Sequence, residues 1–193
     1  MHPGKLVLLI GPSGVGKSAI LRALKEHHPS LIFPRSATTR ARRPKEGDEL
    51  YHFISEAEFD QKIADNAFLE YATVHEGARY GTLLTEILPR IDAGKTVVRE
   101  VDAQGFESIR NHQLFQKNGG AYTLQTIFIL PESTDQLLAH IQKRAPMDKD
   151  ELARRLKSME HELRIAPKTD VQIVNTEGKL KETIRCVEEA IGV

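Results

Sequence analysis

A chain of 193 residues with 27 basic and 27 acidic side chains carries no net formal charge, so nothing in the overall balance points to nucleic acid or an anionic membrane surface, and any anion site must be local. Its single cysteine, Cys186, excludes an intramolecular disulfide framework and fits a reducing compartment; in a charged helical tail it reads as a partly buried small apolar residue. The start, MHPGK, lacks a signal-peptide layout, and the longest apolar runs fall far short of the ~20 residues of a membrane span, so the expected setting is cytoplasmic, with no membrane and no nucleic-acid partner.

In chain order, KLVLLIG (5 to 11) is a continuous apolar run and predicts a strand covered on both faces. A helix follows in SAILRALKEHH, with Ile20, Leu21 and Leu24 on one side and Pro29 as its stop. The stretch 36 to 82 is richer in Arg, Glu and aromatics, with the strand-like pieces LYHFI and FLEYATV, and reads as an inserted subdomain that rejoins the core near the LLTEILPRIDAG helix. Beyond it, 96 to 102, 124 to 130 and 170 to 175 predict strands, and 106 to 112, 133 to 143, 149 to 164 and 178 to 190 predict helices. This alternation argues a parallel sheet with helices on both faces.

The turn after the first strand carries Gly11, Gly16, Lys17 and Ser18 in the pattern G-x-x-x-x-G-K-[ST], between a strand and a helix, where a phosphate-binding loop must lie. Glycines let successive backbone N–H groups point at phosphate oxygens, and the helix N-terminus adds partial positive charge. Lys17 would neutralise β/γ-phosphate charge and the Ser18 hydroxyl would reach Mg²⁺.

A second cluster, SATTRARR, supplies Arg40, Arg42 and Arg43 in a loop with Ser36, Thr38 and Thr39; planar guanidinium forks suit bidentate capture of a phosphate. Taken alone it also reads as a solvated basic loop. Further on stand Glu70, Tyr80, Gly81 and Thr82. A carboxylate accepts from two N–H groups at once, which suits the N1–H and 2-amino donors of guanine and not the N1 acceptor of adenine. By itself Glu70 reads first as an ordinary surface or structural carboxylate, ahead of a base reader.

GPSGVGKS, SATTRARR, FLEYATVHE, YGT, VDAQG, IFILP and the VN before the last helix occur in one order from about residue 5 to 190, and together they resemble the guanylate kinases. The resemblance implies a P-loop NTPase fold, a three-layer α/β/α domain over 1–193 with a central parallel sheet. Its core would comprise 1–35, 83–138 and 158–193, its mixed α+β GMP-binding subdomain 36–82, and its short helical lid 139–157. It implies transfer of the γ-phosphate of ATP to GMP, giving ADP and GDP, with Mg²⁺ as cofactor, in a monomer or homodimer.

Carried over position by position, Gly11, Pro12, Ser13, Gly14, Val15, Gly16, Lys17, Ser18 and Ala19 match the ATP loop, and Asn175 a residue near the adenine. Ser36, Glu70 and Thr82 match guanine readers; Arg40, Arg43, Tyr51 and Tyr80 match the clamp on the GMP phosphate. Asp102 matches the acidic position that orients Mg²⁺ through water, with Ser18 as the other metal position, and Glu100 an acidic position on the GMP side. Arg144 and Arg155 match the lid arginines that act with Lys17 and Arg40 on the transferring phosphoryl group.

The chain departs from the pattern at several points. RPKEGDELY, from Arg43 to Tyr51, is about one residue shorter than the family spacing, and EYATVHEGARY, from Glu70 to Tyr80, about one longer, with Arg79 where an aromatic is common. His140 stands at a lid position often held by arginine, and Thr169-Asp170 replaces the usual Tyr-Asp. Two other readings therefore stay open. One is a kinase of the same scaffold with another acceptor, such as ribose 1,5-bisphosphate; the other is a non-catalytic module that holds a phosphopeptide, against which the intact phosphate loop speaks.

Overall fold

The computed structural model describes residues 4–44, 46–73, 77–117, 119–138 and 149–193. The elements run β1 (Lys5–Ile10), α1 (Lys17–His27), β2 (Ser36–Thr38), β3 (Tyr51–Phe53), α2 (Glu56–Ala64), β4 (Phe68–Thr73), β5 (Arg79–Leu83) and α3 (Leu84–Asp92). They continue with β6 (Thr96–Glu100), α4 (Ala103–Asn111), β7 (Thr123–Pro131), α5 (Lys149–Leu163), a 3-10 turn at Ala166–Lys168, β8 (Val171–Asn175) and α6 (Leu180–Ile191). A parallel sheet has the order β6-β1-β7-β8, and a second, mixed sheet the order β3-β2-β5-β4. Residues 134–138 are helical, and the rest of the helix expected at 133–143 lies outside the described residues. Among the described residues no helix is long and apolar enough to cross a membrane.

The chain divides into two compact units, one of Val7–Leu31, Glu100–Ala103 and Gln125–Val193, the other of Met1–Leu6, Ile32–Arg99 and Gln104–Leu124. In the first, Val7 to Ile10 are buried without a break, as a strand covered on both faces requires. Ile127, Phe128 and Ile129 of β7 are fully buried beside β8, and the Asp170 carboxylate accepts from the Thr126 N–H (2.9 Å) and Oγ1 (2.6 Å), which fixes the start of that pairing. On α1, Ile20 and Leu24 are buried while Leu21 is only half-buried, a narrower stripe than the sequence suggests. The buried stripe of α6 is Thr183, Val187 and Ile191, at the spacing of one helix face. Cys186 falls off that stripe and is exposed, which corrects the expectation of a partly buried residue.

The other unit contains the mixed sheet and α2, a helix that the polar stretch 36 to 82 conceals from a reading by apolar period. A capping box starts it: the Ser55 hydroxyl accepts from the Glu58 N–H and the Glu58 carboxylate accepts from the Ser55 N–H. Its buried Phe59 stacks on Phe68 (ring centroids 4.5 Å apart) in a cluster with Ala37 and Leu83, flanked by Ile54, Ile63 and Ala67. Burial of Phe59 alone stabilises by roughly 1.5–3 kcal/mol.

Strand pairing sets which side chains meet. Phe68 opposes Leu83, yet Glu70 opposes Thr82, so the register shifts by one between them. A bulge of this kind turns the strand over. Phe68 thereby faces the α2 cluster while Glu70, two residues on, faces the other side. Gly81 lies beneath the Phe68 ring, where an added Cβ would sit 2.7 Å from two ring atoms. The same ring is stacked on Phe59, which restricts how it can shift. Gly81→Ala is accordingly expected to destabilise the protein by about 1–3 kcal/mol, read as a lower urea midpoint; an unchanged midpoint would refute this packing.

Candidate functional site

In the first unit the phosphate-loop sequence folds as a strand-to-helix turn. Gly16 has φ 103°, a left-handed conformation, and a Cβ there would lie 2.8 Å from Asn175 Nδ2, so both the backbone and the space demand glycine. As N-cap of α1 it offers no side-chain cap, which leaves that helix end to backbone and ligand. Lys17 Nζ donates to the carbonyls of Gly11 (2.6 Å) and Pro12 (3.1 Å) and stands 3.6 Å from Glu100 Oε1. The Val15 N–H donates to the Pro12 carbonyl and the Ala19 N–H to that of Gly16, while Ser13 and Ser18 are exposed. Asn175, expected near the adenine, braces the loop: its Nδ2 donates to the Val15 carbonyl (2.8 Å) and its Oδ1 accepts from Thr183 Oγ1 (2.8 Å).

Glu162, on α5, is a member of this cluster that sequence reasoning missed. Its carboxylate accepts from the Ser13 N–H at 3.3 Å. Burial pushes its pKa up, Lys17 and the Ser13 bond oppose that, and the neighbouring charge of Asp102 adds to it. Nothing in the local pattern marks Glu162, because the loop it meets lies 149 residues away in sequence.

In the second unit the mixed sheet sets four predicted residues in one row across four strands. Tyr51 opposes Ser36, Ser36 opposes Thr82, and Thr82 opposes Glu70. Directly paired residues share a face, so the row lies opposite the α2 cluster, with Tyr80 on the same face two residues before Thr82. The row is polar yet mostly enclosed: Thr82 is fully buried, Ser36 nearly so, and the Glu70 side chain is 11% exposed. Buried polar groups need partners. Thr82 Oγ1 donates to Glu70 Oε1 (2.5 Å), and Arg99 Nη2 donates to Ser36 Oγ (2.8 Å) while standing 3.8 Å from Glu70 Oε1. Arg99 was not legible as a site residue, for its partners are far off in sequence and its own strand reads simply as apolar.

The arginine cluster adjoins the same face. Arg40 Nε donates to the Tyr80 hydroxyl (3.0 Å), its Nη2 to Glu46 Oε1 (2.7 Å), and its guanidinium lies 5.4 Å from the centre of the Tyr51 ring, which meets Tyr80 edge-on. Glu46 also accepts from the Arg43 N–H (2.9 Å), and the bond from Arg40 is the largest influence holding its pKa low. Arg43 itself is exposed. Arg42 pairs with Asp48 and covers Phe53, and Arg79 pairs with Glu56 and Asp60 over the Phe59 ring, so both serve the local packing. Arg144 and His140 lie outside the described residues; Arg155 is placed on α5, its side chain outside them.

The raised pKa of Glu162 has a pH signature. A carboxylate whose folded pKa exceeds its unfolded value favours folding most at low pH, and that contribution is lost as pH rises through the folded value. Glu162→Gln cannot ionise. It is expected to be more stable than the parent at pH 8, with the gap closing as pH falls toward about 4, measured as denaturation midpoints across pH; a gap independent of pH would count against this.

The guanylate kinase family model matches residues 3–192. A guanylate kinase of Trichormus variabilis is 38% identical over 189 residues, covering 97% of this chain and 89% of the relative. One of Gloeobacter violaceus is 40% identical over 192 residues, covering 98% and 88%. The crystal structure of guanylate kinase from Anaplasma phagocytophilum superposes with a TM-score of 0.70 at 23% identity, covering all of this chain and 86% of that one, a likeness of fold. On the family match across nearly its whole length, the chain belongs to the guanylate kinase family.

Proposed function

We propose that the protein is an ATP:GMP phosphotransferase, which transfers the γ-phosphoryl group of ATP to the phosphate of GMP. One new P–O bond forms at the acceptor phosphate, the bond from the γ-phosphorus to the β–γ bridging oxygen breaks, and ADP and GDP leave. The observation that carries this reading is the row Tyr51, Ser36, Thr82 and Glu70, which sets a carboxylate beside the hydroxyls of Ser36 and Thr82 in an enclosed place. Guanine offers two adjacent N–H donors, the complement of one carboxylate. Ser36 and Thr82 complete the base contact, Arg40, Arg43, Tyr51 and Tyr80 take the phosphate, and Glu100 orients the acceptor. Segment 36–82 is then the acceptor subdomain, 1–35, 83–138 and 158–193 the core, and 139–157 the lid.

Phosphoryl transfer asks for in-line positioning and for compensation of charge on the moving oxygens. Gly11 to Ala19 cradle the donor triphosphate, Asn175 keeps the loop in shape, and Lys17, Arg144 and Arg155 meet the transferring group. Ser18 and Asp102 are oxygen donors and suit Mg²⁺, a hard cation that retains several waters. When bound, the ion supplies charge compensation on the β- and γ-phosphates. Such an enzyme would supply GDP to purine nucleotide metabolism in the cytoplasm.

ADP release from Mg²⁺-ATP, followed with GMP, AMP, UMP, ribose 1,5-bisphosphate or no acceptor, tests this. GMP alone is expected to stimulate. Stimulation by another acceptor instead would overturn the guanine assignment, and no turnover with any would favour the binding module. Glu70→Gln is expected to lower kcat/KM for GMP by roughly 10- to 100-fold, since guanine donors would be left without their anionic acceptor; unchanged GMP kinetics in a folded variant would refute the role of Glu70.

A further inference from the structure

At the far end of α1 from the phosphate loop, three ligating side chains converge. His27 Nδ1 donates to Glu188 Oε1 at 2.8 Å, and His28 Nε2 donates to the same oxygen at 3.1 Å. The two ring nitrogens and the carboxylate oxygen all lie within 4.8 Å of one another. Glu188 comes from α6, so the cluster joins two helices of one unit.

We propose that His27, His28 and Glu188 form a binding site for a divalent transition-metal ion of the zinc and cobalt class, fastening the C-terminal end of α1 to α6. The separations fit such an ion. Four-coordinate zinc with bonds of ~2.0–2.1 Å sets its ligand atoms roughly 3.3 Å apart. Two of the three separations here lie within about half an ångström of that value, and the third closes by rotation of the His27 ring, which is 54% exposed. The rings stand nearly at right angles (interplanar 72°, centroids 6.2 Å apart), so they need not clash as their lone pairs turn to one point.

The chemistry selects the ion. Two imidazoles and one carboxylate suit zinc or cobalt, whereas magnesium and calcium require oxygen ligands, so this ion is distinct from the one that accompanies ATP. Each histidine now presents its N–H to Glu188; on metal binding that proton passes by way of water to the other nitrogen of the same ring, or is released from a ring that carried two, and the freed nitrogen ligates. Both histidines sit where α1 ends, at the negative end of its dipole, which favours a cation. The nearby Arg185 and Glu189 pair with each other (3.6 Å). The eleven residues of α1 put the cluster roughly 16 Å from the phosphate loop, so the ion would steady the helix and take no part in phosphoryl transfer.

The test uses the full chain without a histidine tag, stripped by chelator and kept free of nucleotide and phosphate. Titration with Co²⁺ is expected to give one equivalent bound, with visible absorption of a four-coordinate nitrogen and oxygen site, and Zn²⁺ is expected to compete for it and to raise the melting temperature. His27→Ala/His28→Ala should abolish all three effects while far-UV circular dichroism shows the fold intact, and Glu188→Gln should weaken binding by roughly tenfold or more. Cys186→Ser should bind as the parent does. No binding tighter than millimolar would overturn the proposal and leave the cluster as ion pairs; binding that survives the double variant, or is lost with Cys186, would overturn it by placing the ion elsewhere.

Discussion

A carboxylate taken almost wholly out of water must be met by donors, and the unit that contains the mixed sheet is organised around that demand at Glu70. The Thr82 hydroxyl donates to it, and the Arg99 guanidinium stands beside it while holding Ser36. Each partner requires its own element. Thr82 must face Glu70 across β4 and β5, which is possible only because the bulge after Phe68 reverses the side to which the strand presents its side chains. Without that reversal Glu70 would point at the Phe59 cluster, an apolar surface with nothing to offer a charge. The same step sends Phe68 into that cluster, so the bulge serves the apolar packing and the placing of Glu70 together.

Two of the predicted phosphate-binding cations are matched by a carboxylate of their own unit: Lys17 by Glu100, Arg40 by Glu46. This pairing is how a chain with no net charge maintains local anion sites without exposing a basic patch that attracts polyanions at large. It also sets a standard for the ligand. A phosphate that brings several oxygens and more than one negative charge to a planar guanidinium can outcompete a single carboxylate oxygen, whereas a lone chloride or carboxylate in solution gains little.

What the sequence discloses follows from how local each feature is. The loop from Gly11 to Ser18 was legible because its chemistry is written in eight consecutive residues, and β1, β6, β7 and β8 because buried parallel strands are continuous apolar runs. β2 and β5 escaped notice for the opposite reason: they bury Ser36, Thr38 and Thr82, so the usual pattern of apolar inward and polar outward is reversed on the functional face. α2 shows only Phe59 and Ile63 at helical spacing, and its clearest mark is the capping box of Ser55 and Glu58. Arg99, Glu46 and Glu162 act through partners brought to them by folding, and no spacing rule could have named all three.

The two loop-length departures gain a physical reading from the pairing of the strands. Tyr51 is the first residue of β3 and already opposite Ser36, so the shortening between Arg43 and Tyr51 falls in the loop ahead of the ladder. β4 and β5 stay in step from Glu70 opposite Thr82 to Thr73 opposite Arg79, so the added residue falls in the connection beyond Thr73. Neither change alters which residues share a row. Arg79 and Tyr80, neighbours in β5, then point to opposite faces, Arg79 to the acidic side chains of α2 and Tyr80 to Arg40. An arginine replacing an aromatic at position 79 therefore changes how the sheet is fastened to its helix and leaves the face that carries Glu70, Thr82 and Tyr80 with its own order.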